Sequence, residues 1–166
     1  YAESGGQIGD RGSIFSDNIN FKVIDTQKKI NSIHAHEGEL INGSISVGDI
    51  LNLKVDVDFH KKVMANHSAT HLLHETLRRV LGDHVTQKGS QVSSEKLRFD
   101  FSHSKALSKE ELYEVEVNIN KIIIKNSSVS TELLSYEDAV KKGALALFGE
   151  KYGDEVRVLS MGEDSF

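Results

Sequence analysis

Cysteine is absent from this 166-residue chain, which removes disulfides and thiolate chemistry from consideration and suits a cytoplasmic protein. Proline is absent too, so turns must rest on glycine, asparagine and aspartate, as at Gly38, Asn42-Gly43 and Gly48-Asp49. No apolar run approaches the roughly 18 residues of a membrane span, and no signal peptide opens the chain. No membrane partner is expected. Positive charge is also in short supply. A net charge of −5 gives no global field that would draw the chain to nucleic acid, so any such partner must be met by a local patch. Aromatic residues make up only 7%. What remains is a chain of ordinary charge content, long enough for one domain or for two small subdomains sharing a core. It starts at Tyr1 inside a glycine-rich run and stops at Phe166 just after an apparent strand, so both ends are expected to be cuts through a longer polypeptide.

The first part, residues 1–58, reads as β. Residues 21–25, 29–36 and 50–57 are short, β-branched and partly alternating. Leu51, Leu53, Val55 and Val57 alternate with Asn52, Lys54 and Asp56, the pattern of a half-buried strand. Short strands at this spacing suggest a small barrel. The second part, residues 59–166, mixes elements. Residues 59–81 predict a helix with Val63, Leu73, Leu77 and Val80 or Leu81 toward the core and Gly82 as its stop. A hairpin follows at 84–92 and 96–102. Ser108-Lys109-Glu110-Glu111 is a capping box opening a helix to about residue 126. A strand at 129–134, a short helix capped by Ser135 and a strand at 155–161 complete the reading.

The most informative pattern lies on the first helix. His67 and His71 are four residues apart in Asn66-His67-Ser68-Ala69-Thr70-His71-Leu72-Leu73-His74. On a helix that spacing places both imidazoles on one side, with Cβ atoms about 5–6 Å apart, close enough to share a metal ion. Zinc peptidases with this spacing need a glutamate directly after the first histidine, and here that position is Ser68. The pair reads as a metal site without the peptidase base, or as two surface histidines. His60 and His74 fall near the same face at minus seven and plus seven.

Other polar groups leave alternatives open. Glu3-Ser4-Gly5-Gly6-Gln7-Ile8-Gly9-Asp10-Arg11-Gly12 is not a phosphate loop, because no lysine follows the glycines and strands rather than a helix come next. It reads as a tight turn, or as a loop whose amides approach a ligand. Gln87-Lys88-Gly89-Ser90 is a plain turn or a polar cluster aimed at the histidine helix. Asp100 in Arg98-Phe99-Asp100-Phe101-Ser102-His103 either orients an imidazole or is a solvated strand position. His34 and His36 have no assigned role. Arg11, Lys61, Lys62 and Lys88 are the candidate cations for a nucleic-acid phosphate, or solvated surface charges.

The combination is more specific than its parts. The Ala2-Glu3-Ser4-Gly5-Gly6-Gln7 start, the histidine helix, Gln87-Lys88-Gly89-Ser90, Leu97-Arg98-Phe99-Asp100-Phe101-Ser102-His103 and Gly143-Ala144-Leu145-Ala146-Leu147-Phe148-Gly149-Glu150-Lys151-Tyr152 occur in that order. Together they resemble the editing region of alanyl-tRNA synthetases, and the resemblance covers essentially the whole chain. Free-standing AlaX deacylases share the first three motifs. The editing domain of bacterial threonyl-tRNA synthetases shares the histidine helix but not the Gly-Gly-Gln start.

The resemblance implies an α+β fold: a small N-terminal β-barrel joined to an α/β sandwich in which the long helix packs on an antiparallel sheet. It implies hydrolysis of the ester joining serine or glycine to the acceptor end of alanine tRNA. The rest of a synthetase chain is the implied physical partner. A phosphate loop is missing, so ATP-dependent aminoacylation is placed elsewhere in such a parent. By the resemblance His67 and His71 are two zinc ligands, and Thr70 and Gln87 line the amino-acid pocket as the catalytic pair. Ser4, Gly5, Gly6 and Gln7 approach the terminal adenosine, and Ser90 is a further substrate-binding residue. The other zinc ligands of the family, a cysteine and a histidine in a Cys-Gly-Gly-Thr-His run, have no counterpart in these 166 residues. That leaves a free-standing deacylase, or a non-catalytic module binding the tRNA acceptor end, as the competing readings.

Overall fold

The computed structural model describes residues 1–30, 33–144 and 155–162. Eleven elements follow in order: β1 (Gly12–Phe15), β2 (Asn20–Lys28), β3 (His34–Asn42), β4 (Asn52–Val55), α1 (Val57–Leu81), β5 (Gln87–Val92), β6 (Leu97–Phe101), α2 (Lys109–Lys125), β7 (Val129–Ser135), α3 (Tyr136–Lys141) and β8 (Glu155–Met161). The mixture is α+β with antiparallel pairing, as the sequence indicated. Two compact units divide it. One comprises Tyr1–Thr70 with Lys88–Asp100, the other His71–Gln87 with Phe101–Phe166, so the first half of α1 belongs with the glycine loop and the early strands.

In the first unit the strands run β3-β2-β1-β4. β1 is only four residues long and opens on Gly12, too weak a pattern to be read from the sequence as a strand. It is central because both neighbours pair with it: Gly12 faces Val23 and Val55, and Ile14 faces Phe21 and Leu53. Phe21 in turn faces Leu40, so one face carries the apolar row Leu40, Phe21, Ile14, Leu53 across all four strands. Among the described residues no ladder joins β3 to β4, and the strands expected to form a barrel are observed as this open order. The alternation of Leu51, Leu53, Val55 and Val57 was expected to make a half-buried strand. Leu51 is half-buried, but β4 is a sheet edge paired only to β1, where Leu53 and Val55 stay 63% and 44% exposed, and Val57 opens α1 at 54%.

Gly38 does not make the turn expected of it. It lies within β3 opposite Val23, beside a register shift, where a Cβ would run into the Lys22 carbonyl. β2 and β3 are accordingly longer than the sequence pattern suggested, with β3 reaching Asn42. The core of this unit is Ala2, Val23, Val63 and Val92.

α1 begins two residues before the expected start because Asp56 caps it: the Phe59 amide donates to Asp56 Oδ1 at 3.0 Å. It ends at the expected place. Gly82 takes φ +113°, and its amide donates to the Arg78 carbonyl at 2.8 Å. The Arg78 guanidinium then binds the following turn through the carbonyls of Asp83 and Val85. Along the helix Leu72 is buried and Leu73 only half-buried, a shift of one position from the sequence reading. Thr70, His74 and Thr76 are buried as well, polar groups that a periodicity of apolar residues does not detect.

The turn after β5 is tied by Ser93, whose amide donates to the Lys96 carbonyl and whose Oγ accepts from the Lys96 amide. In the second unit the capping box at α2 is complete: Ser108 Oγ accepts from the Glu111 amide at 3.1 Å, and Glu111 Oε2 accepts from the Ser108 amide at 2.7 Å. Asn126 closes the helix in the left-handed region, φ 49°. β7 and β8 pair antiparallel from Val129–Met161 to Ser135–Glu155, and Ser135 caps α3. Residues 145–152 of the last motif lie outside the described residues.

Candidate functional site

The glycine-rich start is a hairpin-like loop docked on β5. The Ser4 and Gln7 backbones bond to each other at 3.2 and 3.0 Å, with Gly5 and Gly6 at φ +58° and +82° between them. These are conformations that glycine takes without a Cβ penalty. The Val92 amide then donates to the Gly6 carbonyl at 2.8 Å, and the Val92 carbonyl accepts from the Ile8 amide at 3.1 Å. Gly6 also packs on Ser90 so closely that a Cβ would lie 2.7 Å from the Ser90 carbonyl oxygen. Ser90 Oγ reaches the Gly5 carbonyl only at 3.5 Å. The structure thus brings Ser4, Gly5, Gly6, Gln7 and Ser90 together.

What the sequence did not indicate is where Gln7 points. Its side chain is 5% exposed, and Oε1 lies 2.6 Å from Nδ1 of His67. Burial lowers the pKa of His67, which favours the neutral imidazole. A carbonyl oxygen can only accept, so the neutral ring donates from Nδ1 and carries its electron pair on Nε2. That is the form in which an imidazole binds a metal. Neighbouring Asn66 donates from Nδ2 to the Ser93 carbonyl at 2.8 Å, a second tie between α1 and the hairpin turn. Thr70 is buried and donates its hydroxyl proton to the Asn66 carbonyl at 2.8 Å, so its oxygen meets any ligand as an acceptor.

α1 is unbroken from Val57 to Leu81, so His67 and His71 keep their four-residue helical register. His71, His74 and Gln87 belong to the second unit. His71 is exposed and Gln87, the first residue of β5, is half-buried. His74 is buried; desolvation lowers its pKa, against a hydrogen bond to the Val85 backbone carbonyl that raises it. Zinc, the metal implied by the resemblance, suits this donor chemistry. The donor number falls short. Among the described residues no group of three His, Cys, Asp or Glu side chains is placed to hold a metal, whereas zinc sites use three or four protein ligands.

The other candidates resolve differently. His60 is held at Nδ1 by Oδ1 of the 7%-exposed Asp10 side chain at 2.7 Å. Asp100 pairs with Arg98 at 3.1 Å, so its carboxylate serves a guanidinium and not an imidazole. His103 stacks on His84, with ring centroids 5.1 Å apart and Nδ1 2.8 Å from His84 Nε2. No sequence signal pairs those two, because the hairpin that joins them spans 19 residues. His34 and His36 lie exposed on β3.

Arg11 lies 4.5 Å above the Phe59 ring, a cation–π contact that fixes its guanidinium. It borders an open trough of about 770 Å³ with Lys22, Lys54, Ser13 and Val55. The two acids there are engaged: Asp25 with the Thr26 amide and Gln27, Asp56 with the Phe59 amide. Lys61, Lys62 and Lys88 are exposed. Lys22 and Lys54 escaped the sequence reading because only the register across Ser13 brings them together.

Residues 1–59 match the family model described as tRNA synthetases class II (A). The chain is 60% identical over 165 residues to the alanine–tRNA ligase of Parvibaculum lavamentivorans, covering 99% of this chain and 18% of that protein. The chain is similar to a segment of alanine–tRNA ligases along almost its whole length. The ligases of Mesorhizobium japonicum and Rhizorhabdus wittichii are 54% and 53% identical over 98% of the chain. In each case the chain spans 18% of the ligase it matches. No helix among the described residues is long and apolar enough to cross a membrane.

A pH dependence follows for this chain. His67 and His74 both have folded pKa values below the ordinary 6.5, so the unfolded chain takes up protons first as pH falls. Their contribution to stability is fully present above about pH 6.5 and is lost progressively below it. Urea midpoints should therefore fall between about pH 7.5 and 5.5, and His67→Asn should flatten that fall. A variant with the wild-type slope would show that His67 is not desolvated.

Proposed function

We propose that this segment hydrolyses serine and glycine wrongly esterified to alanine tRNA, as the editing part of an alanine–tRNA ligase acting in the cytoplasm. The observation that carries the reading is the buried Gln7–His67 contact on α1, within a chain related to alanine–tRNA ligases along its whole length. The chemical need is plain. Glycine lacks one methyl group of alanine and serine adds one hydroxyl, and pocket discrimination on such differences yields only about 1–3 kcal/mol, so a second, hydrolytic selection is required.

In this reading His67 and His71 hold zinc together with ligands from outside these residues. Zinc held there would supply Lewis acidity. The remaining work falls to the chain itself. Water adds to the ester carbonyl, the C–O bond to the ribose breaks, and the ribose oxygen leaves with a proton. Thr70, its own proton committed to Asn66, accepts the hydroxyl hydrogen of a serine ester. Alanine has no such hydrogen, so its ester gains nothing there. Gln87 holds the ester or the attacking water and stabilises the developing oxyanion. The glycine loop from Ser4 to Gly6 receives the terminal adenosine.

One observation favours a second reading. With two metal ligands among the described residues, the chain by itself suits a non-catalytic module that binds the acceptor end. The two readings separate in a segment exchange. A relative ligase carrying this chain in place of its matching segment should clear seryl-tRNA, and the same exchange with His67→Ala and His71→Ala should not. Clearance by both would refute the histidine assignment; clearance by neither, with tRNA binding kept, would establish the binding module.

The phosphate contacts follow the trough. Arg11→Gln, Lys22→Gln and Lys54→Gln should each weaken tRNA binding and reduce its salt dependence, by about one unit of slope for every phosphate no longer neutralised. The weakening should be the same for serine and alanine esters, because phosphate contacts position without discriminating. A change of amino-acid preference, or salt-independent binding, would show that these cations are misassigned.

A further inference from the structure

We infer that Gln7 is a positioning residue for His67, holding the ring in the Nδ1–H tautomer with Nε2 as the electron-pair donor. Three observations converge on this. The contact is short, 2.6 Å, and the glutamine is 5% exposed, so little water competes for either group. A side-chain carbonyl oxygen can only accept, so Nδ1, the nitrogen that faces Gln7 Oε1, is the one that carries a proton. The backbone that carries Gln7 is tied on both sides, to Ser4 within the loop and to Val92 through Gly6 and Ile8. The glycine loop therefore does more than receive a ligand. It transmits the position of β5 to one ring on α1.

The residue type matters. A neutral carbonyl fixes the tautomer while leaving the imidazole neutral. Metal-bound histidines ordinarily donate their second ring N–H to such an acceptor, and removal of that partner typically weakens metal binding about 10–100-fold. The consequence for zinc rests on the proposed function above; the tautomer does not.

The experiment is ¹⁵N NMR of the His67 ring in the metal-free chain at mildly alkaline pH, where two-bond couplings distinguish a protonated from a lone-pair nitrogen. The wild-type chain should show Nδ1 protonated and Nε2 not. Gln7→Leu should release the ring to a mixture of both tautomers, and Gln7→Glu, which keeps the acceptor, should restore the Nδ1–H form. A residue that merely filled space would change stability and leave the tautomer alone. A wild-type spectrum with the proton on Nε2 would overturn the inference by itself, whether or not either variant folds. So would an unchanged tautomer in a folded Gln7→Leu chain. The second readout is cobalt or zinc affinity of a full-length ligase carrying this segment, expected to fall about 10–100-fold with Gln7→Leu and to be kept with Gln7→Glu. The expected tautomer with no metal bound by the wild-type ligase would uphold the positioning role and remove the zinc reading.

Discussion

Gln87→Ala and Thr70→Val are each expected to slow hydrolysis of mischarged tRNA tenfold to a thousandfold in a full-length ligase carrying this segment, or roughly 1.4–4 kcal/mol of transition-state stabilisation. The two variants should fail differently. Thr70→Val keeps the shape of a buried side chain and removes an acceptor, so serine esters should suffer most and the residual preference over alanine esters should shrink. Gln87, in the proposed function, holds the ester or the attacking water, so Gln87→Ala should slow serine and glycine esters alike. Folding should survive both. Thr70 loses one hydrogen bond inside its own helix, worth about 0.5–1.5 kcal/mol, and Gln87 is only half-buried. Single-turnover deacylation beside a thermal melt separates the cases. Wild-type rates with unchanged discrimination would remove both residues from the pocket.

Gly6→Ala should be strongly destabilising. The residue holds φ +82°, and its Cβ would be 2.7 Å from the Ser90 carbonyl oxygen, a backbone atom tied into β5. Conformational strain of about 1–3 kcal/mol and overpacking of about 1–3 kcal/mol add to a loss of roughly 2–6 kcal/mol. Gly5→Ala is the control. Gly5 also has positive φ, 58°, but nothing lies within 4 Å of its Cβ position, so only the strain of about 1–3 kcal/mol remains. Urea midpoints of the two variants measure the difference. Equal losses would mean that the loop does not press on β5. Because the same loop carries Gln7, Gly6→Ala should also disturb the His67 ring, while Gly5→Ala should spare it.

These cases show which parts of the molecule its sequence made legible. Helix boundaries were readable where a side chain meets a specific backbone group, as in the Ser108 capping box and the Gly82 stop. The early strands were readable in kind but not in extent. Gly38 looks like a turn in sequence, but it serves a close crossing between β2 and β3. β1 carries almost no strand signal, because its place comes from two neighbours and not from its own residues. The alternation of Leu53 and Val55 promised burial that an edge strand does not provide.

At the site, the spacing of His67 and His71 needs nothing but helical register, and a sequence displays that directly. The partner of His67 is 60 residues away on a loop, a relation set by tertiary packing. The same holds for Asp10 with His60 and for His84 with His103, each a contact that no local pattern encodes. Lys22 and Lys54 became neighbours only through strand register.

The most direct measurement is single-turnover hydrolysis of seryl-, glycyl- and alanyl-tRNA(Ala) by a full-length ligase carrying this segment, with and without a zinc chelator. Rapid release of serine and glycine, slow release of alanine, and loss of the fast reactions on chelation are the predicted results. Equal rates on all three esters, or fast seryl-tRNA hydrolysis that survives both chelation and the loss of His67 and His71, would contradict the account.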